Sequence, residues 1–150
     1  MLYSVLAVGD VVGESGLAHL ERHLRPLQKL KNISFTVVNG ENISATGLTR
    51  KQALRVYDAG ADAVTLGNHT FGKMEICPLL DEAHWLLRPA NLSARAPGHG
   101  CEIFDCNGVR IRVMSLIGRC GLQWNAENPF TLADRLLKSG DADFTLVDFH

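Results

Sequence analysis

Carboxylate, amide and imidazole side chains follow the first three apolar runs of this 150-residue chain. Asp10 comes after LYSVLAV, Glu41 after SFTVVN, and the neighbours Asn68 and His69 after ADAVTL. If these runs are adjacent parallel strands, about 4.8 Å apart, the loops that follow them gather at one sheet edge, where the side chains can meet. The loops GDVVGES, NGENISATG and GNHTFG contain no Lys or Arg. A bound cation is therefore the natural counterpart of the two carboxylates.

Oxygen donors together with imidazole suit divalent metals such as Mn, Fe or Zn. A carboxylate such as Glu41 can bridge two ions about 3.5 to 4 Å apart, the spacing of hydrolytic two-metal sites. The side-chain oxygen of Asn68 can bind a metal without adding charge, which leaves His69 free to donate a proton to a leaving group. Gly67 and Gly72 allow sharp turns and a close approach of the backbone. The pattern predicts hydrolysis of a phosphoester.

A repeated order of strand, glycine-containing loop and helix must position these residues. Apolar runs predict strands over 2–8, 34–39, 61–66 and 85–88, and helical patterns occupy 17–24, where Pro26 interrupts the pattern, and 73–83, which Pro78 disturbs. Thr49 and Gln52 predict a capping box for the second helix, with Leu48 able to pack on Ala53, and Gly60 predicts its end. We expect a layered α/β fold, β-sheets flanked by helices, with at least three parallel strands.

The second half of the chain is rich in β-forming residues. Asn107 and Gly108 join two such runs and predict a tight hairpin. A further helix is expected to open near Asn128-Pro129 or Thr131, before a final strand, FTLVDFH. The chain contains no CxxC pair, and a reducing compartment disfavours disulfides, so free thiols are expected at all four cysteines. These are Cys77, Cys101, Cys106 and Cys120.

Composition restricts the class of partner. Fifteen basic and sixteen acidic residues leave a net charge of -1, so no basic field favours nucleic acid or an anionic membrane. The N-terminal apolar run stops at Asp10 and follows no basic segment, which argues against a secretion signal or a membrane span. We therefore expect a cytoplasmic protein.

Seven short motifs occur in order along the chain: GDVVG, NGEN, TLGNHTF, RPAN, IGR, NPF and the terminal DFH. Together they resemble the YmdB-like branch of the calcineurin-like metallophosphoesterases. NGEN before GNHTF, with DFH downstream, is the most specific part of this resemblance.

The resemblance implies a two-metal phosphodiesterase that acts on a small-molecule phosphodiester. It implies 2',3'-cyclic nucleotides as the substrate class, iron or manganese as the metals, and attack on phosphorus by a hydroxide between the two ions. His69 would be the proton donor, and Arg119 is a candidate phosphate contact. The implied metal ligands are Asp10 and Asn42 for one ion, Asn68 and His150 for the other, and Glu41 for both.

The chain departs from the wider family in two places. The superfamily opens with Asp-x-His, whereas Val12 stands two residues after Asp10, as in this branch. Family members also continue past DFH into a segment with a His-x-His pair that completes both metal shells. We therefore expect residues 1–150 to form a single domain that is the N-terminal part of a longer one. An exposed sheet edge would leave pairing with another chain, including a homo-oligomer, open.

Two other functions remain open. A truncated or degenerate phosphoesterase would bind nucleotide or a protein partner without turnover. Alternatively, Gly9, Gly13 and Gly16 loosely resemble the fingerprint of a Rossmann-type dinucleotide-binding domain. The spacing is GxxxGxxG instead of GxGxxG, and Asp10 would repel a pyrophosphate.

The same residues also have structural interpretations. Asp10 and Glu41 can be loop acids near helix N-termini, His69 can be a turn residue, and Arg119 can pair with Glu127. Only their joint placement favours a site.

The remaining histidines carry weaker signals. His150 can be a frayed chain end. His19 and His23 lie one helical turn apart, but HLERH matches no zinc-protease motif, and we interpret both as surface residues. His84 and His99 belong to no motif.

Overall fold

A computed structural model describes residues 2–122 and 125–150, which form two β-sheets and a layer of helices. The first sheet is parallel and contains β1 (Val5–Val8), β2 (Phe35–Asn39), β3 (Ala63–Thr65) and β4 (Leu86–Leu87), in that order. The second sheet contains β5 (Cys101–Cys106), β6 (Val109–Leu116) and β7 (Phe144–Phe149). Within it, β6 pairs antiparallel with β5 and parallel with β7. The helices are α1 (Gly13–Lys31), α2 (Arg50–Ala59), α3 (Cys77–Glu82), which a 3₁₀ turn (Met74–Ile76) precedes, and α4 (Pro129–Leu137).

The parallel sheet is the middle layer. Its strands follow sequence order, and crossovers between parallel strands are right-handed, so α1, α2 and α3 all fall on one face. In β2, Val38 points into the core beneath these helices, whereas Val37 packs with Ile111 and Val113 of the second sheet. The expected layered α/β fold is therefore confirmed, with four parallel strands instead of the minimum of three.

Helix α2 begins and ends where its sequence predicts. The hydroxyl oxygen of Thr49 accepts the Gln52 N–H at 3.1 Å, and Gln52 Oε1 accepts the Thr49 N–H at 3.1 Å. Gly60 ends the helix with a positive φ of 119°, a conformation that glycine adopts without strain. Leu48 and Ala53 are both buried in the same core.

The prediction for α1 was wrong at both ends. The helix starts at Gly13, four residues before the predicted start, and continues through Pro26 to Lys31. Proline removes one backbone hydrogen bond, but Arg22 and Pro26 lie on the exposed side, where water can bind the freed carbonyl. No helix in the described part of the chain is long and apolar enough to cross a membrane.

The predicted helix over 73–83 is divided into the 3₁₀ turn and α3. Pro78 lies in the first turn of α3, where its missing N–H would have no partner in any case. The hairpin at Asn107-Gly108 is confirmed, with Cys106 opposite Val109 and positive φ at both turn residues. All four cysteines are free.

The RPAN motif connects the two sheets. The buried guanidinium of Arg88 donates hydrogen bonds to backbone carbonyls of the loop over 89–98. The amide of Asn91, also buried, accepts the Ile117 N–H at 2.9 Å and donates to the carbonyls of Ile117 at 2.8 Å and Glu127 at 3.0 Å. Asn91 therefore fixes the end of β6 and the approach to α4.

Strand β7 is an edge of the second sheet as far as the described residues show. Its side chains Phe144, Val147 and Phe149 are exposed.

We predict that Asn91→Ala lowers the free energy of unfolding by about 2 kcal/mol or more, because it leaves the buried backbone N–H and carbonyl of Ile117 and the half-buried carbonyl of Glu127 without their present partner. Urea denaturation followed by circular dichroism measures the change. The control is Asn125→Ala, an exposed position, which should change the free energy by less than about 0.5 kcal/mol. Equal effects of the two substitutions would contradict the role assigned to Asn91.

Candidate metal centre

The loops after β1, β2 and β3 meet at one edge of the parallel sheet, as their strand order requires. The Val11 N–H donates to the Asn39 carbonyl, and the Gly13 N–H to the Asn42 carbonyl, both at 3.0 Å. Between the side chains, Asn42 Nδ2 donates to the two carboxylate oxygens of Asp10, at 2.9 and 2.8 Å. The predicted residues Asp10 and Asn42 are therefore adjacent, beside Glu41.

The Glu41 side chain is 0% exposed. Its Oε1 accepts the backbone N–H of His69 at 2.8 Å, whereas Oε2 has no hydrogen-bond partner among the described residues. Burial raises the pKa of Glu41 above its usual value, and the nearby Asp10 carboxylate acts in the same direction. A buried carboxylate oxygen without a donor is costly unless a cation approaches it.

Two imidazoles flank this carboxylate. His150 Nδ1 lies 3.6 Å from Glu41 Oε2, and His150 Nε2 lies 2.7 Å from Asn68 Oδ1. On the other side, His69 Nδ1 lies 3.6 Å from Glu41 Oε1 and has no hydrogen-bond partner in the described structure. The His69 side chain is 43% exposed, so its ring extends from the buried carboxylate toward solvent.

The chain end is fixed at the site by backbone hydrogen bonds. The His150 N–H donates to the Leu116 carbonyl at 2.8 Å, and its carbonyl accepts the Gly118 N–H at 2.9 Å. His150 is therefore held next to the end of β6, and the frayed-end interpretation does not describe this conformation.

These residues fit a metal centre. The unpartnered oxygen of Glu41 lies among carboxylate, amide and imidazole donors, the set that Mn, Fe and Zn accept. Two hydrogen bonds between the proposed ligands would have to break so that these side chains could bind metal instead. The Asn42 amide now donates to Asp10, and the His150 ring is hydrogen-bonded to Asn68.

Gly67 leaves room for the centre. A Cβ at this position would overlap Glu41 Oε2 and lie 2.8 Å from Cδ2 of His150. Any other residue would displace one of these two groups. The close approach that the sequence predicted at Gly67 is thus made by side chains of the site.

Three positioning residues were missed in the sequence. Asp148 Oδ2 accepts hydrogen bonds from Asn39 Nδ2, at 2.7 Å, and from the hydroxyl of Thr65. The Asn39 Oδ1 in turn accepts the Glu41 N–H at 3.1 Å. Asn39 lies within NGEN and Asp148 within DFH, each two residues before a predicted ligand. This closeness to a ligand was the sequence signal that could have identified them as positioning residues.

A cleft of about 750 Å³ adjoins the site. It is lined by residues of the second and third loops and of the segment after β6: Ala45, Thr46, Asn68, His69, Phe71, Gly72, Gly121 and Leu122. A second cleft, of about 820 Å³, lies between the amino ends of β2 and β3 and the turn of the β5–β6 hairpin and includes none of the predicted site residues. The chemistry therefore favours the cleft beside His69.

Arg119 is not among the residues that line the cleft. It is exposed, one residue after Gly118, whose N–H binds the His150 carbonyl. Its alternative partner, Glu127, pairs with Arg135 at 2.7 Å instead. The structural alternative in which Arg119 pairs with Glu127 is therefore not the arrangement found.

The dinucleotide-binding alternative disagrees with the strand order. A Rossmann domain has its first strand in the middle of the sheet and binds where the order reverses. Here β1 is at the edge, and the order β1-β2-β3-β4 contains no reversal. Asp10 also occupies the loop where a pyrophosphate would bind.

Comparison with known proteins identifies relatives of this chain. A 2',3'-cyclic-nucleotide 2'-phosphodiesterase from Bacillus subtilis (strain 168) is 36% identical over 149 residues, 97% of this chain and 56% of that protein. The crystal structure of a hypothetical protein from Thermus thermophilus matches with a TM-score of 0.88 at 34% identity, covering 97% of this chain and 57% of that one. A novel phosphatase from Mycoplasma pneumoniae matches with a TM-score of 0.88 at 30% identity, covering 99% and 55%. The chain thus spans little more than half the length of these relatives.

The profile of the family described as YmdB-like protein matches residues 6–150. This span contains all seven motifs on which the resemblance rests. The chain therefore belongs to the YmdB-like family.

Proposed function

We propose that this chain supplies the metal-binding and proton-donating residues of a two-metal phosphodiesterase that hydrolyses small phosphodiesters. The observation that carries the proposal is the buried carboxylate of Glu41, whose Oε2 receives no hydrogen bond from residues 2–122 and 125–150, while imidazoles flank the group on both sides. The name of the Bacillus subtilis relative supports 2',3'-cyclic nucleotides as the substrate class.

The proposed metals are two ions of iron or manganese, held by the loops at the sheet edge. When bound, such ions supply positive charge beside the phosphoryl oxygens and activate the attacking water. Asp10 and Glu41 would contribute two negative charges and the amide and imidazole ligands none, less than the charge of two divalent ions, so the site would keep a net attraction for an anionic substrate. The proposed ligands are Asp10 and Asn42 for one ion, Asn68 and His150 for the other, and Glu41 for both.

His69 is the proposed proton donor. Glu41 Oε1 holds its backbone N–H, and its Nδ1 is buried against the same carboxylate. The other ring nitrogen, Nε2, is then available to a substrate in the cleft that His69 lines. A proton on Nε2 would neutralise the alkoxide that leaves phosphorus.

Arg119 is proposed as a phosphate contact only in the substrate complex. Its guanidinium forms no ion pair with the described residues. The backbone N–H of the preceding residue, Gly118, is hydrogen-bonded to the His150 carbonyl. A rotation of this exposed side chain toward the cleft would bring its charge to an anionic substrate.

A second candidate function is binding of a nucleotide or a protein partner without turnover. It is favoured by the contacts that the ligands make with one another, Asn42 with Asp10 and His150 with Asn68. Hydrolysis of 2',3'-cyclic AMP in the presence of Mn²⁺ distinguishes the two candidates, since only the enzyme turns substrate over.

We predict that Glu41→Gln removes nearly all Mn²⁺-dependent hydrolysis of 2',3'-cyclic AMP, because the neutral amide cannot bridge two cations. The variant should also bind less Mn²⁺ by elemental analysis. Without metal it should be at least as stable as the parent chain, since it has no charge to bury. Equal hydrolysis by variant and parent would refute the proposed site.

We predict that His69→Ala lowers the rate on 2',3'-cyclic AMP by about 10² to 10⁴ while Mn²⁺ content is unchanged. The rate of hydrolysis of a 4-nitrophenyl phosphodiester should fall much less, because 4-nitrophenolate is a stable leaving group that needs no proton. Steady-state rates on both substrates measure the difference, with His23→Ala, an exposed helix position, as the control. Equal losses on the two substrates would rule out proton donation as the role of His69.

We predict that Gly67→Ala weakens Mn²⁺ binding and hydrolysis at least tenfold, because the added methyl group displaces Glu41 or His150. Gly9→Ala is the matched control, since a Cβ there meets no atom within 4 Å. Calorimetric titration with Mn²⁺ measures the binding. If both variants bind like the parent chain, Glu41 is not a ligand in its present position.

A further inference from the structure

Three side chains that belong to none of the sequence motifs meet on the surface, away from the candidate metal centre. His84 lies two residues before β4, His99 two residues before β5, and Glu102 within β5. One ligand atom from each lies within 4.8 Å of the other two. Among residues 2–122 and 125–150, no other three His, Cys, Asp or Glu residues meet this distance.

The carboxylate of Glu102 is oriented toward both histidines. Its Oε1 accepts the Ile103 N–H at 2.9 Å, which fixes the group. Its Oε2 then lies 3.7 Å from Nδ1 of His84 and 3.5 Å from Nε2 of His99. In a tetrahedral zinc site with bonds of about 2.0 to 2.2 Å, ligand atoms are about 3.3 to 3.6 Å apart. The two separations from Glu102 Oε2 need to change by only a few tenths of an ångström, and the histidine ligand atoms, which lie within 4.8 Å of each other, have to move closer together.

We propose that His84, His99 and Glu102 form a zinc-binding site, with water as the fourth ligand. Two imidazoles and one carboxylate are a ligand set that zinc accepts. His84 precedes a strand of the first sheet, whereas His99 precedes β5 of the second sheet and Glu102 lies within it, so bound zinc would connect the sheets. The site lies at the amino end of β4, whereas the centre around Glu41 lies beyond the carboxyl ends of β1, β2 and β3.

An ion pair or a hydrogen bond is the competing explanation for this cluster. His99 Nε2 lies 3.2 Å from the carbonyl oxygen of His84, a contact that requires the proton on Nε2. Zinc binding through Nε2 requires the proton on Nδ1 instead, so the tautomer of His99 separates the two cases. The side chain of His84 is 86% exposed, and its ring is free to make the small adjustment.

The test is a titration of the chain with Zn²⁺, followed by calorimetry and by long-range ¹H–¹⁵N NMR of the histidine rings. We expect the ring nitrogens of His84 and His99 to shift together as Zn²⁺ binds between them, with the His99 proton moving to Nδ1, whether or not the centre around Glu41 also takes up Zn²⁺. His84→Ala and Glu102→Gln should each weaken this binding at least tenfold. Both residues lie on the surface, so the variants should fold.

The matched control is His19→Ala combined with His23→Ala, which removes an exposed histidine pair whose rings are 4.3 Å apart. It should leave the His84 and His99 shifts unchanged. The proposal is overturned if these rings do not respond to Zn²⁺, if Glu102→Gln binds like the parent chain, or if the control variant loses the same binding. Mn²⁺-dependent hydrolysis should be unaffected by His84→Ala, so this result is independent of the proposed function.

Discussion

Burial of the Glu41 carboxylate is the constraint on which the rest of the site depends. Removing a carboxylate from water costs on the order of several kcal/mol, and within the described part of the chain only one of the two Glu41 oxygens receives a hydrogen bond. The buried carboxylate lies where the carboxyl ends of three adjacent parallel strands meet. Gly67 leaves the space for the carboxylate, and the backbone N–H of His69 donates a hydrogen bond to its Oε1. A pair of cations is the partner that would offset the remaining cost.

The connection between the two sheets positions this carboxylate relative to His150. Asp148 accepts hydrogen bonds from the ends of β2 and β3, and Asn39 passes this restraint to the backbone of Glu41. In the loop that joins the two sheets, the Asn91 side chain holds the end of β6 through hydrogen bonds to the backbone of Ile117. The family motifs thus contain two kinds of residue. NGEN and DFH combine proposed ligands with the residues that position them, whereas RPAN is structural.

Local patterns predicted much of the fold and the convergence of the site. The capping residues Thr49 and Gln52 and the turn at Asn107-Gly108 act within a few residues, so sequence alone reveals them. The length of α1 was not predictable in this way, because the effect of Pro26 depends on which side of the helix faces water. The hydrogen bond between Asn39 and Asp148 joins residues 109 positions apart, and no spacing rule reveals it. The same holds for His84, His99 and Glu102, which only the packing of two sheets brings together.

The relation between the Glu41 carboxylate and two cations is tested most directly by anomalous X-ray diffraction from crystals of this chain soaked with Mn²⁺. Two anomalous peaks about 3.5 to 4 Å apart, one on each side of the Glu41 carboxylate, are expected. The first should lie beside Asp10 and Asn42, and the second beside Asn68 and His150. Crystals with full Mn²⁺ occupancy elsewhere and no peak within bonding distance of Glu41 would contradict the central role of this residue.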